Sequence, residues 1–262
     1  MFPFVLPELT PEHINAILPF IAVGFFAQLI DGALGMAFGV ITNTLLVSIL
    51  GLPPARASAS VHLVETFTTA ASGISHIFHK NVDWHLFGQL VIPGVIGGGL
   101  GAYVLSNIHA DAAKPFVMAY LAAIGIYLVW KAWKIGHNVE HKPARFVAPL
   151  GLVGGFLDAA GGGGWGPVVT SNLLVQGTEP RRTIGTVNTA EFFLTLTISL
   201  VFISQLGIAA FTIAAVGLII GGLLAAPLGA FLVKRIAAKN LLTLVGFLLI
   251  ATSLFSLYKS LA

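Results

Sequence analysis

Cysteine is absent from this sequence, and charged residues are scarce. Without cysteine the chain can form no disulfide, no thiolate metal site and no cysteine nucleophile. Only 9% of the 262 residues are charged, whereas soluble domains carry roughly 25%. The chain is instead 56% hydrophobic, with a mean hydropathy of +0.94. This balance predicts a membrane protein that crosses the bilayer several times.

Basic residues also point to a membrane and away from nucleic acid. The 13 Lys and Arg exceed the 10 Asp and Glu, for a formal charge of +3. Most of the basic residues lie in short connections between apolar runs, where they report membrane orientation, so nucleic acid is not an expected partner. The N-terminal stretch has no basic segment and contains Glu8 and Glu12, which argues against a cleaved signal peptide.

Ten apolar runs follow one another along the chain. Six of them approach the roughly 20 residues that a membrane-crossing helix needs. These six predicted spans are 58–78, 85–105, 113–133, 183–204, 208–233 and 239–260. The other four runs are shorter and form two pairs, each divided by a glycine-rich break. The pairs are 14–30 with 36–51 and 146–157 with 164–176.

The two glycine-rich breaks are similar to each other. LIDGALGMAFG (29–39) superposes without a gap on the region of LDAAGGGGWG (157–166), which brings Asp31 onto Asp158. The similarity continues after each break, where PARASASVHLVETF aligns with PRRTIGTVNTAEFF and brings Glu65 onto Glu191. Charged residues and glycines that coincide in the same order predict an internal duplication.

The basic connections indicate that the two halves face opposite ways. Lys and Arg prefer cytoplasmic loops. In the first half the basic connections are 79–84 and 131–145, whereas in the second half they contain Arg181, Arg182 and the stretch 234–239. The pattern predicts an all-α polytopic membrane protein of two inverted repeats, each a broken-helix hairpin followed by three transmembrane helices.

The repeats are expected to form one transmembrane domain. The first repeat covers 1–130 and the second 146–262, joined by a cytoplasmic linker at 131–145. Glycines at 97–103 and 221–230 are expected to serve close helix packing, because small residues let membrane helices approach each other.

The breaks themselves are expected to line a substrate site. Non-helical backbone at membrane depth persists only where protein buries it or where it lines a wet cavity. Interrupted helices in inverted repeats are typical of secondary transporters, and half-helix N-termini suit an anion. The candidate substrate-lining backbone is that of Gly35, Gly162, Gly163, Gly164 and Trp165.

Four acidic residues lie within apolar segments, where a carboxylate is a candidate functional group: Asp31, Glu65, Asp158 and Glu191. They either carry a coupling proton or cap the broken helices and bind their amides. His62 and Asn188 each precede a glutamate by three residues, so each polar pair shares a helix face and is expected to face the substrate.

Small polar residues beyond the breaks offer neutral donors to an oxyanion. These candidates are Thr42, Asn43, Ser171 and Asn172. The alternative is that such side chains bond the carbonyl of their own helix.

Metal, cofactor and enzyme chemistry are not expected. The loosely spaced cluster of His76, His79, Asp83 and His85 is interpreted as a solvated cytoplasmic rim. No H-E-x-x-H helix and no G-x-S-x-G context are present. The remaining rival from this class is an intramembrane enzyme or metal-handling protein that uses His62, Glu65 and Glu191.

GFLDAAGGGGWGPVVTSNLL (155–174) followed by EPRRTIGTVNTAEFF (179–193) resembles the sulfite exporter TauE/SafE family of bacterial membrane permeases. The resemblance covers about residues 19–258, and the first-half copy is a weaker match in which Val40 stands where Pro167 stands in the second. It implies a multi-pass inner-membrane protein that moves sulfur-containing oxyanions such as sulfite, sulfoacetate and other organosulfonates, and some carboxylates.

These observations predict a secondary transporter of small sulfur-containing or organic anions, which works by alternating access around a site between the two hairpins. Export is the favoured direction, because the negative-inside membrane potential drives an anion out of the cell, by about 2.3 kcal/mol per charge per 100 mV. A passive anion channel is the first rival, and a structural membrane subunit is another. The exact substrate, the direction of transport, coupling to protons or another ion, and the oligomeric state stay open.

Overall fold

The computed structural model describes residues 11–34, 36–134, 144–208, 213–232 and 238–261. Over these ranges the regular elements are helical, which confirms the all-α prediction. The α-helices are α1 (Pro11–Leu34), α2 (Phe38–Ser48), α3 (Pro54–Phe78), α4 (Trp84–Asn107), α5 (Ala110–Lys134), α6 (Val147–Gly161), α7 (Ser171–Val175), α8 (Pro180–Leu206), α9 (Ile213–Leu232) and α10 (Ala238–Leu261). A π-helical segment, Trp165–Thr170, leads into α7.

Helix boundaries follow the apolar runs with one large difference. α1 has 24 residues and continues through Asp31, so it is not the short helix that the run 14–30 predicts. The isolated aspartate did not end the helix, because its side chain turns to the amide of Phe38 across the break. α5 also continues into the predicted linker as far as Lys134, while the linker residues 135–143 lie outside the described ranges.

Three helices are long and apolar enough to cross a membrane in the part of the chain that the structure describes. They are Trp84–Asn107, Ala110–Lys134 and Arg182–Leu206, so three of the six predicted spans meet both conditions. α3 has 25 residues, enough for about 37 Å, but it carries many polar side chains. α9 and α10 contribute shorter apolar stretches, Ala215–Ala225 and Gly246–Phe255.

Glycines mediate the closest helix contacts. α1 packs against α9 and α4 against α6, while α3 pairs with α8 and α5 with α10. A side chain at Gly97 would overlap the carbonyl of Leu152 on α6, and one at Gly221 would overlap the carbonyl of Ile21 on α1. Both positions lie in the glycine clusters expected to serve packing, and the absence of a Cβ there lets the backbones approach directly.

Candidate functional site

The two helix breaks lie against each other. The Cα atom of Gly163, in the second break, lies 3.2 Å from where a Cβ at Gly39 would stand. A Cβ at Gly163 would in turn overlap the backbone nitrogen of Val40. The amide of Asn43 on α2 donates a hydrogen bond to the carbonyl of Gly161 at the end of α6 (3.2 Å). The glycines therefore bring one break onto the other, and Asn43 joins them.

Each break is closed by an aspartate from the helix that precedes it. Asp158 Oδ1 accepts hydrogen bonds from the amides of Gly164 (2.6 Å) and Trp165 (2.9 Å). Asp31 Oδ1 accepts one from the amide of Phe38 (3.2 Å). The amides that the sequence suggests for an anionic substrate thus already bind a carboxylate of the protein.

Asp158 also contacts the first half of the chain through a histidine. His62 Nε2, on α3, lies 3.1 Å from Asp158 Oδ2, and both side chains are buried. On the other side of the ring, His62 Nδ1 lies 2.7 Å from the carbonyl oxygen of Ser58. The hydroxyl of Ser58 donates to the carbonyl of Ala159 (2.8 Å), which adds a second link between α3 and α6.

Glu65 lies on the same face of α3 as His62. The amide of Gly39 donates to its carboxylate. The other oxygen, Oε2, is buried and has no hydrogen-bond partner among the described residues. One ligand atom from each of His62, Glu65 and Asp158 falls within 4.8 Å of the others. The three side chains therefore form one buried cluster across α3 and α6.

A small cavity lies between the breaks, and all four acidic residues line it. Its walls are Asp31, Met36, Ala37, Phe38, Gly39, Val40, Glu65, Asp158, Gly163, Gly164, Gly166, Pro167 and Glu191. Four helices, α1, α3, α6 and α8, each contribute one carboxylate. Ala37 holds a φ of 121°, where an L-residue is strained, and such strain is often found at functional sites.

Several wall residues were not expected from the sequence. Met36, Ala37, Phe38, Val40 and Pro167 are apolar, so nothing in their chemistry marks them. Their one signal is position, because they flank the glycines of the two breaks. Gly35, which the sequence does suggest, lies outside the described residues.

Other predicted site residues make contacts within the protein and lie outside the cavity lining. Thr42 is buried and donates to the carbonyl of Phe38 (2.6 Å). Asn172 is exposed, and its side-chain amide donates to the carbonyl of Val168 (2.8 Å). Gly162 ends α6 with a φ of 73°, and Asn188 is buried on α8. The indole of Trp165 is buried and donates to the carbonyl of Val187 (3.2 Å). Hydroxyl and amide side chains in helices readily donate to a carbonyl one turn back. Thr42 and Asn172 do so, and these donors are therefore used within the helix and not on a substrate.

Lys131 is a residue that the sequence suggests only as part of the linker. Its Nζ donates to Ser171 Oγ (2.6 Å), and Ser171 Oγ lies 3.6 Å from the sulfur of Met36, a wall of the cavity. Lys131 is only partly buried. A positive charge therefore lies two contacts away from the carboxylate-lined cavity.

The histidine cluster near the start of α4 makes local contacts. Asp83 Oδ1 accepts from the amides of His85 and Leu86 and caps α4. His85 Nε2 pairs with the amide of Gln89 (3.0 Å), and His79 Nδ1 lies 2.8 Å from the carbonyl of Ser75. Asp83 thus has a structural role at the helix end.

Comparison with known proteins gives matches to one family of membrane proteins and to membrane transporters, two of which cover most of the chain. A family model described as "Sulfite exporter TauE/SafE" matches residues 20–256. The Bacillus subtilis (strain 168) protein "Probable membrane transporter protein YtnM" is 44% identical over 237 residues, 88% of this chain and 79% of the relative. A Xylella fastidiosa (strain 9a5c) "Probable membrane transporter protein" is 27% identical over 116 residues, 43% of this chain and 44% of the relative. No solved structure matches.

Proposed function

Because this chain belongs to the sulfite exporter TauE/SafE family of membrane transporters, we propose that it carries small sulfur-containing or organic anions across the bacterial inner membrane. Sulfite, sulfoacetate and organosulfonates are the substrate types, export is the direction, and alternating access is the mechanism. One observation carries the proposal: the two broken helices meet at a cavity lined by the backbone of both breaks and by four carboxylates.

Helix pairing supports two inverted repeats around that cavity. In the proposed repeat, α1 corresponds to α6, α3 to α8, α4 to α9 and α5 to α10. The observed contacts respect this correspondence. α1 pairs with α9, and their counterparts α6 and α4 also pair with each other. The remaining two contacts, α3 with α8 and α5 with α10, each join a helix to its own counterpart. Such pairing is what a two-fold relation between the halves produces. A site at the interface of the repeats can open to either side as they rock.

An anion would bind by taking the place of a carboxylate at the broken-helix amides. Asp158 Oδ1 already shows how one oxygen accepts from the amides of Gly164 and Trp165. A sulfonate has three oxygens of similar charge, so it can make the same bonds. Exposed N–H groups at a helix start favour negative charge.

Four ionised carboxylates would repel that anion unless other charges enter with it. Two like charges 4 Å apart repel by about 4 kcal/mol at an effective dielectric constant of 20. Binding therefore requires protons or another cation at the acidic side chains. This requirement favours a coupled transporter over a passive anion channel, in which the anion moves alone.

Reconstituted protein provides the test. The purified chain in liposomes is offered a panel of sulfite, sulfoacetate, other organosulfonates, simple carboxylates and cations. We expect saturable anion flux and counterflow, in which excess unlabelled anion on one side drives labelled anion to accumulate there. Anion flux without counterflow would support the channel instead, and the absence of anion flux would reject both.

Lys131 is expected to attract the anion toward the cavity. Replacing Lys131 by methionine should weaken the apparent affinity for the transported anion by about tenfold, because the charge beside Ser171 raises the local anion concentration. Lys131→Arg should retain most of the affinity. The matched control is Lys134→Met, one turn later on α5, where the exposed ammonium lies 4.4 Å from the ring centre of Trp130. Equal losses in the two methionine variants would contradict a specific role for Lys131.

A further inference from the structure

We propose that His62, Glu65 and Asp158 bind one divalent transition-metal cation of the Zn²⁺ type. Binding of the cation does not depend on the nature of the transported substrate. Its role, to compensate the carboxylate charge when the anion enters, rests on the proposed function. The site would lie between α3 and α6, at the edge of the cavity.

Hydrogen bonds around His62 fix which ring nitrogen carries the proton. The hydroxyl of Ser58 gives its single hydrogen to the carbonyl of Ala159, so it cannot donate to the ring. The carbonyl of Ser58, 2.7 Å from Nδ1, can only accept. Nδ1 must therefore be the N–H donor. In the neutral ring Nε2 then directs a lone pair at Asp158 Oδ2, 3.1 Å away. Two acceptors at this distance need a positive species between them.

Glu65 distinguishes a metal cation from a proton. Its Oε2 atom is buried without a partner in the described structure, and the side chain is 5% exposed. A proton on His62 Nε2 would satisfy Asp158 but would leave Glu65 unpaired. A divalent cation would bond all three atoms and balance the two carboxylate charges. One imidazole nitrogen with carboxylate oxygens is a ligand set that Zn²⁺ accepts.

Each ligand is also held from behind. Before an anion enters, Asp158 Oδ1 is fixed by two break amides, the Glu65 carboxylate by the amide of Gly39, and His62 Nδ1 by Ser58. Such second contacts orient metal ligands. The spacing between Nε2 and Oδ2, 3.1 Å, is close to the edge of about 3.4 Å in a tetrahedral zinc site. The three ligand atoms together lie within 4.8 Å of one another, so cation binding would draw the side chains slightly inward. Three protein ligands leave a fourth position for a water or an anion oxygen.

The second repeat supplies a natural comparison. The residues that align with the three ligands are Asn188, Glu191 and Asp31, so an amide replaces the imidazole. A side-chain amide nitrogen offers no lone pair to a metal, and the amide oxygen suits Mg²⁺ or Ca²⁺ better than a cation of the Zn²⁺ type. We therefore expect one cation per chain and not two.

Cobalt binding tests the site directly. The full chain is purified in detergent, stripped with a chelator and titrated with Co²⁺ alone, whose visible absorption reports nitrogen and oxygen ligation. We expect one Co²⁺ per chain, displaced by Zn²⁺. His62→Asn, which copies the second repeat, and Glu65→Gln should each weaken binding by about 100-fold or more, because each removes a direct ligand, whereas losing a hydrogen bond behind a ligand costs about 10–100-fold. Asn188→Ala, at the equivalent position of the second repeat and outside the cavity wall, is the matched control and should change it less than about twofold.

Several outcomes would overturn the metal site. They are no Co²⁺ binding by the wild-type chain, unchanged binding in a folded His62→Asn or Glu65→Gln variant, or loss of binding when His76, His79 and His85 are replaced together. Elution as a single monodisperse species identifies the variants that fold, and one folded ligand variant is enough for the test. Anion flux is measured separately in chelator and in Zn²⁺. Anion flux without Co²⁺ binding would reject the metal site and support the proposed anion transport. Co²⁺ binding without anion flux would support the metal site and reject the proposed anion transport.

Discussion

Replacing Asp158 by alanine is expected to abolish transport and to destabilise the fold by about 2–6 kcal/mol. The change leaves the buried amides of Gly164 and Trp165 without an acceptor, and each unsatisfied buried group costs about 1–3 kcal/mol. It also removes the partner of His62. Since whole domains are stable by only about 5–15 kcal/mol, the melting temperature in detergent should fall steeply and anion flux in liposomes should disappear.

Asp158→Asn separates the structural role of this residue from its charge. The amide oxygen of asparagine can still accept from both break amides, and its nitrogen can donate to His62 Nε2. We expect most of the stability to return, while anion flux stays at least about 100-fold below wild type. Asp83→Ala is the control, because Asp83 also binds two amides at a helix start but lies far from the breaks in sequence and outside the cavity wall. It should cost about 0.5–2 kcal/mol and leave transport intact. Normal flux in Asp158→Asn would show that the charge is dispensable.

Gly163→Ala is expected to prevent recovery of folded protein. Gly163 holds a φ of 138°, and a Cβ at this position would overlap the backbone nitrogen of Val40. Backbone strain of this kind costs about 1–3 kcal/mol, and the overlap adds to it, because moving Val40 would also pull α2 from the second break. The yield of monodisperse protein and its melting temperature in detergent measure the effect.

Two other glycines separate strain from overlap. Gly51 has a φ of 68° with nothing within 4 Å of the added Cβ, so Gly51→Ala tests strain alone and should cost about 1–2 kcal/mol. Gly88, inside α4, also faces open space, and Gly88→Ala should be neutral or should stabilise the helix by up to about 1 kcal/mol. If Gly163→Ala were as stable as Gly88→Ala, the close contact between the breaks would not be required for folding.

Helices were predictable because lipid leaves the backbone few choices. A chain with long apolar runs and few charges must satisfy its peptide groups internally, and helices do so within one segment. The prediction was wrong where hydropathy set the boundary: α1 continues through Asp31, whose carboxylate accepts from the amide of Phe38 across the break. α3 is a long helix, as predicted, although it carries His62 and Glu65.

Side-chain roles were much harder to predict. The repeat pairs Asp31 with Asp158 and Glu65 with Glu191, but the buried cluster combines His62 and Glu65 of α3 with Asp158 of α6. Contacts across repeats depend on how the helices are rotated against each other, which a repeat alignment does not specify. Thr42 and Asn172 looked equally available to substrate, yet both bond carbonyls of their own segments.

The amino-acid sequence alone determined that this is a helical membrane protein of the TauE/SafE family, that its helices break at two glycine-rich points and that four acids lie within apolar segments. Hydropathy, glycine and charge are local properties, so they can be read along the chain. Only the tertiary structure decided that both breaks touch, that the aspartates occupy the break amides and that His62 faces Asp158. The first and the third are distances between residues about 100 positions apart, set by the packing of glycine-bearing helices. The second joins residues only six or seven positions apart, but it depends on how the backbone turns at each break.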